Sequence, residues 1–457
     1  MSIARRAWAV TALCFVAARA LAQSDADIDR IPQAASLQSS AAQPVNRAVY
    51  WQSDLTYNIP RDDLIVPLSP VPAWEARSFL DMRLDQRLDP NFSVAYSGRI
   101  NVRAEPGLGF PNRENFRSDL RETYAAWTDN QHWFMQLGRI NLKSGVAEGF
   151  NPTDYFKTRA VVEPTSIDPA VLREDRLGVV MLQTQYVGTS ASLTFALAPK
   201  LAADSPPYND DALPAWNPML DRTNGQWRAL FKGSVNLSNG ISPELLMYEE
   251  SGSARFGLNI SKGIGRSVVT YLEWSGGRRA SLAEAAYEEG RRTDVLPAGP
   301  AIPIDGDKGF ANDLAAGVSY TLPSGLNLAA EFEYTQAGFS AADWRNWFGA
   351  GRAAAPLAGE LWFIRAYAGE QQQPVARRSL FLRAYWQNAL VKNLNVSAFA
   401  VADLHDGSTL AQASVDYYLS AHWTVGAIVD VYSGARQSEF GSLPQRGSAL
   451  LKIARFF

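Results

Sequence analysis

Thiols are almost missing from this chain: its 457 residues include one cysteine, Cys14. That residue lies in a leader-like N-terminal stretch, so everything after it must fold without disulfides or cysteine-ligated metal. Histidine is nearly as scarce. His132, His405 and His422 each fall in or beside a turn, and none neighbours the serine or carboxylate partners that hydrolytic catalysis requires. No enzyme is expected. Excess positive charge is absent, with 43 basic against 46 acidic residues, which argues against nucleic acid as a partner. Beyond residue 22 no apolar run approaches the roughly 18 residues of a membrane helix. No Pro/Gly/Ser-rich linker divides the chain, although its length would call for two or more soluble domains. One large closed sheet resolves that tension.

Residues 1–22 read as an address. Arg5 and Arg6 precede a mostly apolar run, Ala7–Ala18, and Ala20-Leu21-Ala22 forms a small-x-small cleavage site before Gln23. The run is too short to span a bilayer and Arg19 interrupts it, so a cleaved secretory signal is predicted. Leu13 before Cys14 spoils a lipoprotein-type box. Removing this segment takes away three arginines and leaves 40 basic against 46 acidic residues, a net charge of −6. Residues 23–46 are polar, rich in Ser, Ala and Gln, and aperiodic, which predicts a flexible periplasmic lead-in. Residues 47–457 form the folded unit.

That unit alternates. Leu80, Met82, Leu84 and Leu88 are interleaved with Asp81, Arg83, Asp85 and Arg87; after Asp89-Pro90-Asn91 the pattern resumes through Val94, Tyr96, Ile100 and Val102 against Arg99, Asn101 and Arg103. Period two marks a pleated strand with one charged and one apolar face, and the break marks a hairpin. The same rhythm recurs along the chain, giving about 18 strands of roughly 8–13 residues, in which short turns mostly alternate with long loops. Ten or so residues suffice to cross a bilayer at a tilt. Trp127, Trp133, Tyr417 and Trp423 flank short turns, where an aromatic girdle belongs. The predicted fold is all-β: a single closed antiparallel transmembrane β-barrel of about 18 strands with short periplasmic turns and long extracellular loops. A secreted β-sandwich or solenoid is the alternative.

Two stretches carry a family resemblance. The chain ends in Phe457, with Ile453, Leu451 and Ala449 in phase. This is similar to the last strand of Gram-negative outer-membrane proteins, and implies that the barrel-assembly machinery reads Phe457. Arg455 departs from that pattern, and near an interface its side chain can snorkel. The second stretch is Leu120-Arg121-Glu122-Thr123-Tyr124, then Leu137-Gly138-Arg139-Ile140-Asn141, then Gly149-Phe150-Asn151-Pro152-Thr153-Asp154-Tyr155-Phe156. It resembles porin-like outer-membrane barrels, including relatives of the alginate-export channel, in which an LRE-x-Y strand pairs with a strand ending in GR and an NP-x-D loop follows. On that likeness Gly138 permits close packing on the wall and Arg139 points a fixed charge inward. Asn151, Pro152 and Asp154 then build a rigid turn in a loop that folds into the pore as a constriction.

A barrel of this size is wide enough for an aqueous lumen. Arg83, Arg87, Arg99 and Arg103 form an arginine ladder on the second and third strands, joined by Arg121 and Arg139, that would attract anionic groups. Acidic residues on later strands, including Glu331, Glu333 and Asp403, offset it. The expected function is an outer-membrane channel or exporter passing a polar, anionic solute or polymer through a charged lumen narrowed by infolded loops. One alternative is a FadL-like port for hydrophobic molecules, with Trp344, Trp347, Phe348, Trp362 and Phe363 lining a greasy pocket. Another is a structural or docking barrel that holds a periplasmic partner through residues 23–46. An energy-coupled receptor is excluded because too few residues precede the first strand to form a plug domain. Expected partners are outer-membrane lipid and lipopolysaccharide, the barrel-assembly machinery and a periplasmic export or transport protein. No cofactor is expected. Asp305-Gly306-Asp307 with Asn312 and Asp313 offers oxygen ligands, but not at EF-hand spacing.

Overall fold

The computed structural model describes residues 46–457, apart from 63, 66, 68–70, 107–115, 162–163, 204–215, 238–239, 297–298, 301, 305–307 and 354–356. The expectations for the signal, the lead-in before residue 46 and Asp305-Gly306-Asp307 therefore lie outside the described residues.

Eighteen strands follow one another. The first nine are β1 (Asn46–Pro60), β2 (Trp74–Arg87), β3 (Phe92–Ala104), β4 (Phe116–Thr128), β5 (Trp133–Ile140), β6 (Val179–Val187), β7 (Ala191–Ala198), β8 (Arg228–Val235) and β9 (Ile241–Glu250). The rest are β10 (Ser253–Ile264), β11 (Val268–Arg279), β12 (Gly309–Thr321), β13 (Leu326–Thr335), β14 (Arg378–Trp386), β15 (Leu394–Asp403), β16 (Thr409–Tyr418), β17 (Trp423–Ser433) and β18 (Gln445–Phe456). Each pairs antiparallel with its neighbour in sequence, and β18 pairs with β1 to close the barrel. The expected strands are present with boundaries moved by a few residues. Among the described residues, no helix is long and apolar enough to cross a membrane.

Alternation becomes inside and outside. Along β1, Leu55, Tyr57 and Ile59 are exposed, while Gln52, Asp54 and Asn58 are buried. Leu137, Leu245 and Leu451, from strands around the wall, stand 63–66% exposed. Large apolar side chains left bare outside, over a polar interior, are the pattern of a barrel solvated by lipid.

The short turns share one rim. Asp89 closes the β2–β3 turn by accepting the Asn91 and Phe92 amides at 2.7 and 2.8 Å, the Asx geometry that Asp-Pro-Asn favours. Asp129 does the same before β5 for Gln131 and His132, each at 2.8 Å. Trp133 and Tyr417 are exposed at this rim. Trp423 instead lies beneath Arg455, whose guanidinium sits 5.2 Å from its ring and 4.7 Å from that of Phe457. The charge in the terminal strand is thus spent on two aromatic faces.

The opposite rim carries the long connections. Residues 141–178, the inner loop below, contain a 3-10 turn at Tyr155–Lys157 and helix α1 (Pro169–Glu174). Helix α2 (Leu220–Thr223) lies between β7 and β8, and α3 (Leu282–Arg292) between β11 and β12, where Ser281 caps it by accepting the Glu284 amide. Helices α4 (Ala341–Ala353) and α5 (Ala358–Glu370) fill the β13–β14 connection. Leu361, Trp362, Phe363 and Ile364 are consecutive and all buried, so α5 is enclosed on every side. Its partners are Leu282 and Ala286 of α3, Trp344, Trp347 and Phe348 of α4, and Ile65 from the β1–β2 connection. Ring centroids of 5.9 Å for Trp344–Trp347 and 5.6 Å for Trp347–Trp362 leave no greasy opening among them. The five aromatics expected to line a pocket form a filled core.

Candidate functional site

The lumen is organised by the inner loop, which is held on one side by arginines and on the other by glutamates. On the basic side Arg99 points inward from β3. Its guanidinium donates to both oxygens of Asp81 at 2.6 and 2.7 Å and to Asp175 at 2.8 Å, and it covers the Phe79 ring at 4.0 Å. Arg121 joins it because of a bulge. The β3–β4 register places Ser97 opposite Glu122 but Gly98 opposite Leu120, so Arg121 is the extra residue. It reaches Asp81 at 3.4 Å and pairs with Asp175. Two wall arginines, themselves paired with Asp81, thereby hold Asp175, just past α1.

The other side is acidic. Glu273 of β11 accepts the Val146 and Ala147 amides, the second at 2.6 Å, and the Thr153 hydroxyl at 3.1 Å. Glu331 of β13 accepts the Glu148 amide at 2.8 Å, the Phe150 amide at 2.9 Å and the Tyr271 hydroxyl at 2.8 Å. Both glutamates are at most 1% exposed. A run of successive amides aimed at one carboxylate is a peptide nest built around an anion. Here the anion belongs to the wall and the nest to the loop.

Between these supports the loop turns at Asn151-Pro152-Thr153-Asp154, with the Asp154 amide donating to the Asn151 carbonyl at 3.3 Å. Asp154 then takes a forked pair from Arg176 at 2.8 and 3.2 Å. Burial opposes the Asp154 charge, but Arg176 and Arg173 outweigh it and hold the carboxyl below its ordinary range. Asn151 braces the turn by donating to Ala147 O at 2.7 Å, and Pro152 is buried within it. Helix α1 is capped by Asp168, which accepts the Ala170 amide at 2.9 Å and also a hydrogen bond from the Arg383 guanidinium of β14 at 3.1 Å. The inner loop therefore touches the wall at β3, β4, β11, β13 and β14.

Nearer the long-loop rim, Arg77 pairs with Asp54 at 3.3 Å and donates to Pro164 O of the inner loop at 3.2 Å. Arg103 lies 3.8 Å from Glu105. Glu75, Arg77, Arg103 and Pro164 enclose a cavity of about 190 Å³.

The other expected lumen arginines separate. Arg83 stands inward and partly exposed, 3.5 Å from Asp85. Arg87 is not part of a ladder: it donates to the Asp89 carbonyl at 3.0 Å and to that of Pro90, and so braces the turn. Arg139 is also a correction. It shares the parity of Trp133, Met135 and Leu137, which are exposed on the outer face, and its guanidinium is engaged by Gly178 O at 2.8 Å, Pro218 O and the Thr223 hydroxyl. Arg139 ties the β5–β6 corner to the β7–β8 connection, at 2% exposure, and presents no charge to the lumen. Sequence reasoning did not single out Arg77, Asp175, Arg176 or Glu273. Arg77 was findable, since it extends the inward parity of Asp81 and Arg83.

No protein-family model and no curated protein matches the chain. Solved structures do. OccAB1 of Acinetobacter baumannii superposes with a TM-score of 0.53 at 7% identity, over 90% of this chain and 96% of that one. OccK11 (OpdR) of Pseudomonas aeruginosa gives 0.52 at 10% identity, over 90% and 96%. OccK8 (OprE) of the same species gives 0.52 at 10%, over 90% and 98%. At such identities the likeness is one of fold, and with the closed strand order it establishes the chain as a closed eighteen-strand antiparallel β-barrel of the same architecture.

Proposed function

We propose that this barrel is a passive channel of the Gram-negative outer membrane for a small polar solute bearing a carboxylate or comparable anionic group. The observation that carries this is the cavity between Arg77, Arg103 and Pro164, where two guanidiniums face open volume beside the inner loop. Arg99 and Arg121 are paired with Asp81 and Asp175, as Arg77 is with Asp54, but Arg77 and Arg103 are the arginines that line open volume. Glu75 in the same cavity favours solutes that also carry a donor, such as a hydroxyl or ammonium group. A loop fastened to opposite walls supports a small solute over a polymer. The positive charge of the two guanidiniums would raise the local concentration of an anionic solute without any chemical step.

Residues 23–46 remain the proposed contact for a periplasmic partner, and Phe457 the proposed signal to the assembly machinery. Lipid and lipopolysaccharide would contact the exposed apolar band.

Planar-bilayer recording tests the function. Steady single-channel conductance with an anion-favouring reversal potential, shifted toward cations by Arg77→Ala and Arg103→Ala, is the expected result. A silent barrel, or a reversal potential indifferent to both substitutions, would count against it.

A further inference from the structure

The seam between β1 and β18 ends at the long-loop rim in an excess of positive charge. Beyond Pro60 the pairing continues, since the Arg61 amide donates to Pro444 O at 2.9 Å, so Arg61 keeps the outward parity of Leu55, Tyr57 and Ile59. Its guanidinium is held by three backbone carbonyls, those of Tyr432 at 2.6 Å, Phe440 at 3.4 Å and Gly441. Carbonyls satisfy its donors without neutralising its charge. The β1–β18 register sets Ile59 opposite Gly447 but Pro60 opposite Gln445, so Arg446 is the extra residue of a bulge, and it is exposed. Arg436 is exposed as well, and donates to Asp62 O at 3.3 Å. None of the three arginines forms an ion pair among the described residues. Burial and the Arg446 charge push the Arg61 guanidinium below its ordinary value, with no carboxylate to offset them. The acidic side chains of these loops are engaged elsewhere or stand apart. Glu439 is buried, Asp406 accepts the Ser408 and Glu439 amides at 2.7 and 2.6 Å, and the exposed Asp62 pairs with none of the three.

Directly below this charge the outer wall is grooved. Gly447 pairs with Ile59 on one side and Val431 on the other, and Ala449 pairs with Tyr57 and Val429. The four flanking side chains are exposed, so the two small residues of β18 floor an apolar trough that runs up to Arg61 and Arg446. A free anion gains nothing from such a trough, whereas an acyl chain is desolvated by it. We propose that Arg61, Arg436 and Arg446 bind the phosphate of a phosphorylated glycolipid in the leaflet at the long-loop rim, with one acyl chain lying between Ile59 and Val431. Guanidiniums meet phosphate oxygens in paired, charge-assisted hydrogen bonds, and basic clusters at a membrane surface attract anionic headgroups. The lipid spans β1, β18 and β17, and so splints the seam at which the two ends of the barrel meet. This rests on the outer-membrane reading above, narrows a general lipid contact to one headgroup site, and does not depend on the solute.

In the experiment, the full barrel is refolded into phosphatidylcholine vesicles, extracted in detergent and titrated with diphosphoryl lipid A, and bound lipid is counted by native mass spectrometry. Wild-type protein should retain one lipid per barrel, and should hold the dephosphorylated lipid about tenfold more weakly. Arg436→Gln combined with Arg446→Gln should weaken diphosphoryl lipid A by about tenfold or more, on the usual worth of charge-assisted hydrogen bonds. Arg266→Gln, an exposed arginine on the short-turn rim, should bind as wild type does. Ala449→Phe fills the trough with the arginines intact, and should weaken the lipid as well. Equal affinity in wild type and the double variant overturns the site, and so does a wild-type affinity in Ala449→Phe. Displacement of the lipid by an equal concentration of inorganic phosphate overturns it too, leaving a simple anion contact. A barrel that does not enter the vesicles defeats the outer-membrane reading first. Heat-shifted electrophoretic mobility of each variant confirms that the barrel has folded before it is titrated.

Discussion

Arg176 grips Asp154 with both terminal nitrogens, at 2.8 and 3.2 Å, and neither side chain is more than 2% exposed. The pair joins the turn at the middle of the inner loop to the arm that returns to the wall. Removing one partner from such a pair costs about 3–5 kcal/mol because the other charge is left buried. Asp154→Asn should free the turn, with larger current noise and faster proteolysis within 141–178. The same contact responds to acid. The folded carboxyl titrates below its ordinary range, so its contribution is complete above about pH 4 and is lost as pH falls through the folded value. Recordings in acid strong enough to protonate this depressed carboxyl should reproduce the Asp154→Asn noise in wild type. An unchanged trace would show that the pair does not hold the loop.

Glu331 receives the Glu148, Gly149 and Phe150 amides, so Glu331→Ala strips three donors of their acceptor at once. Each buried donor left unsatisfied costs about 1–3 kcal/mol, enough to detach this part of the loop. Single-channel conductance should increase, and reversal potential should shift toward anions as a wall carboxylate is lost. A conductance equal to wild type would mean that the nest is dispensable.

Lys157 provides a charge that ordinary buffers can switch. Its ammonium is pushed down to about 8, mainly by burial, which Asp154, Asp313 and Glu273 only partly offset. Raising pH through about 8 should neutralise it and move the reversal potential toward cations. Lys157→Arg, which keeps its charge, should abolish that titration. Stability runs the other way. Between about 8 and the ordinary lysine value the unfolded chain holds a proton that the folded chain lacks, so unfolding becomes harder as pH rises.

Gly138 has φ +138°, and a Cβ there would lie 2.3 Å from Thr123 O. The neighbour is strand backbone, which cannot swing aside. Gly138→Ala should therefore lower the urea midpoint of the refolded barrel, by more than about 1 kcal/mol on the usual cost of alanine at positive φ. A midpoint within error of wild type would show that β4 and β5 can separate there at no cost.

The wall was legible because lipid outside and water inside impose period two on the strands. Long-range pairing inside the lumen was not. That Glu331 would hold amides 181–183 residues earlier in the chain depends on how far the loop reaches across, which no local pattern encodes. Parity itself failed at Arg139, for a definable reason: the backbone at Gly138 precedes an arginine that the neighbouring loop covers. The packing of α4 and α5 was not legible from their aromatic content, which suits a greasy pocket as well as a filled core.

Closure between β1 and β18 couples Tyr50 to Phe456 and continues to Pro60 opposite Gln445, so the seam joins the two ends of the folded chain. Until that last pairing forms, a partly built wall exposes two unsatisfied strand edges and an apolar flank, the combination most prone to aggregation. Nothing in the early strands can finish the structure on its own. Biogenesis then has a timing requirement: the first strand must be kept from pairing elsewhere while more than 380 further residues arrive.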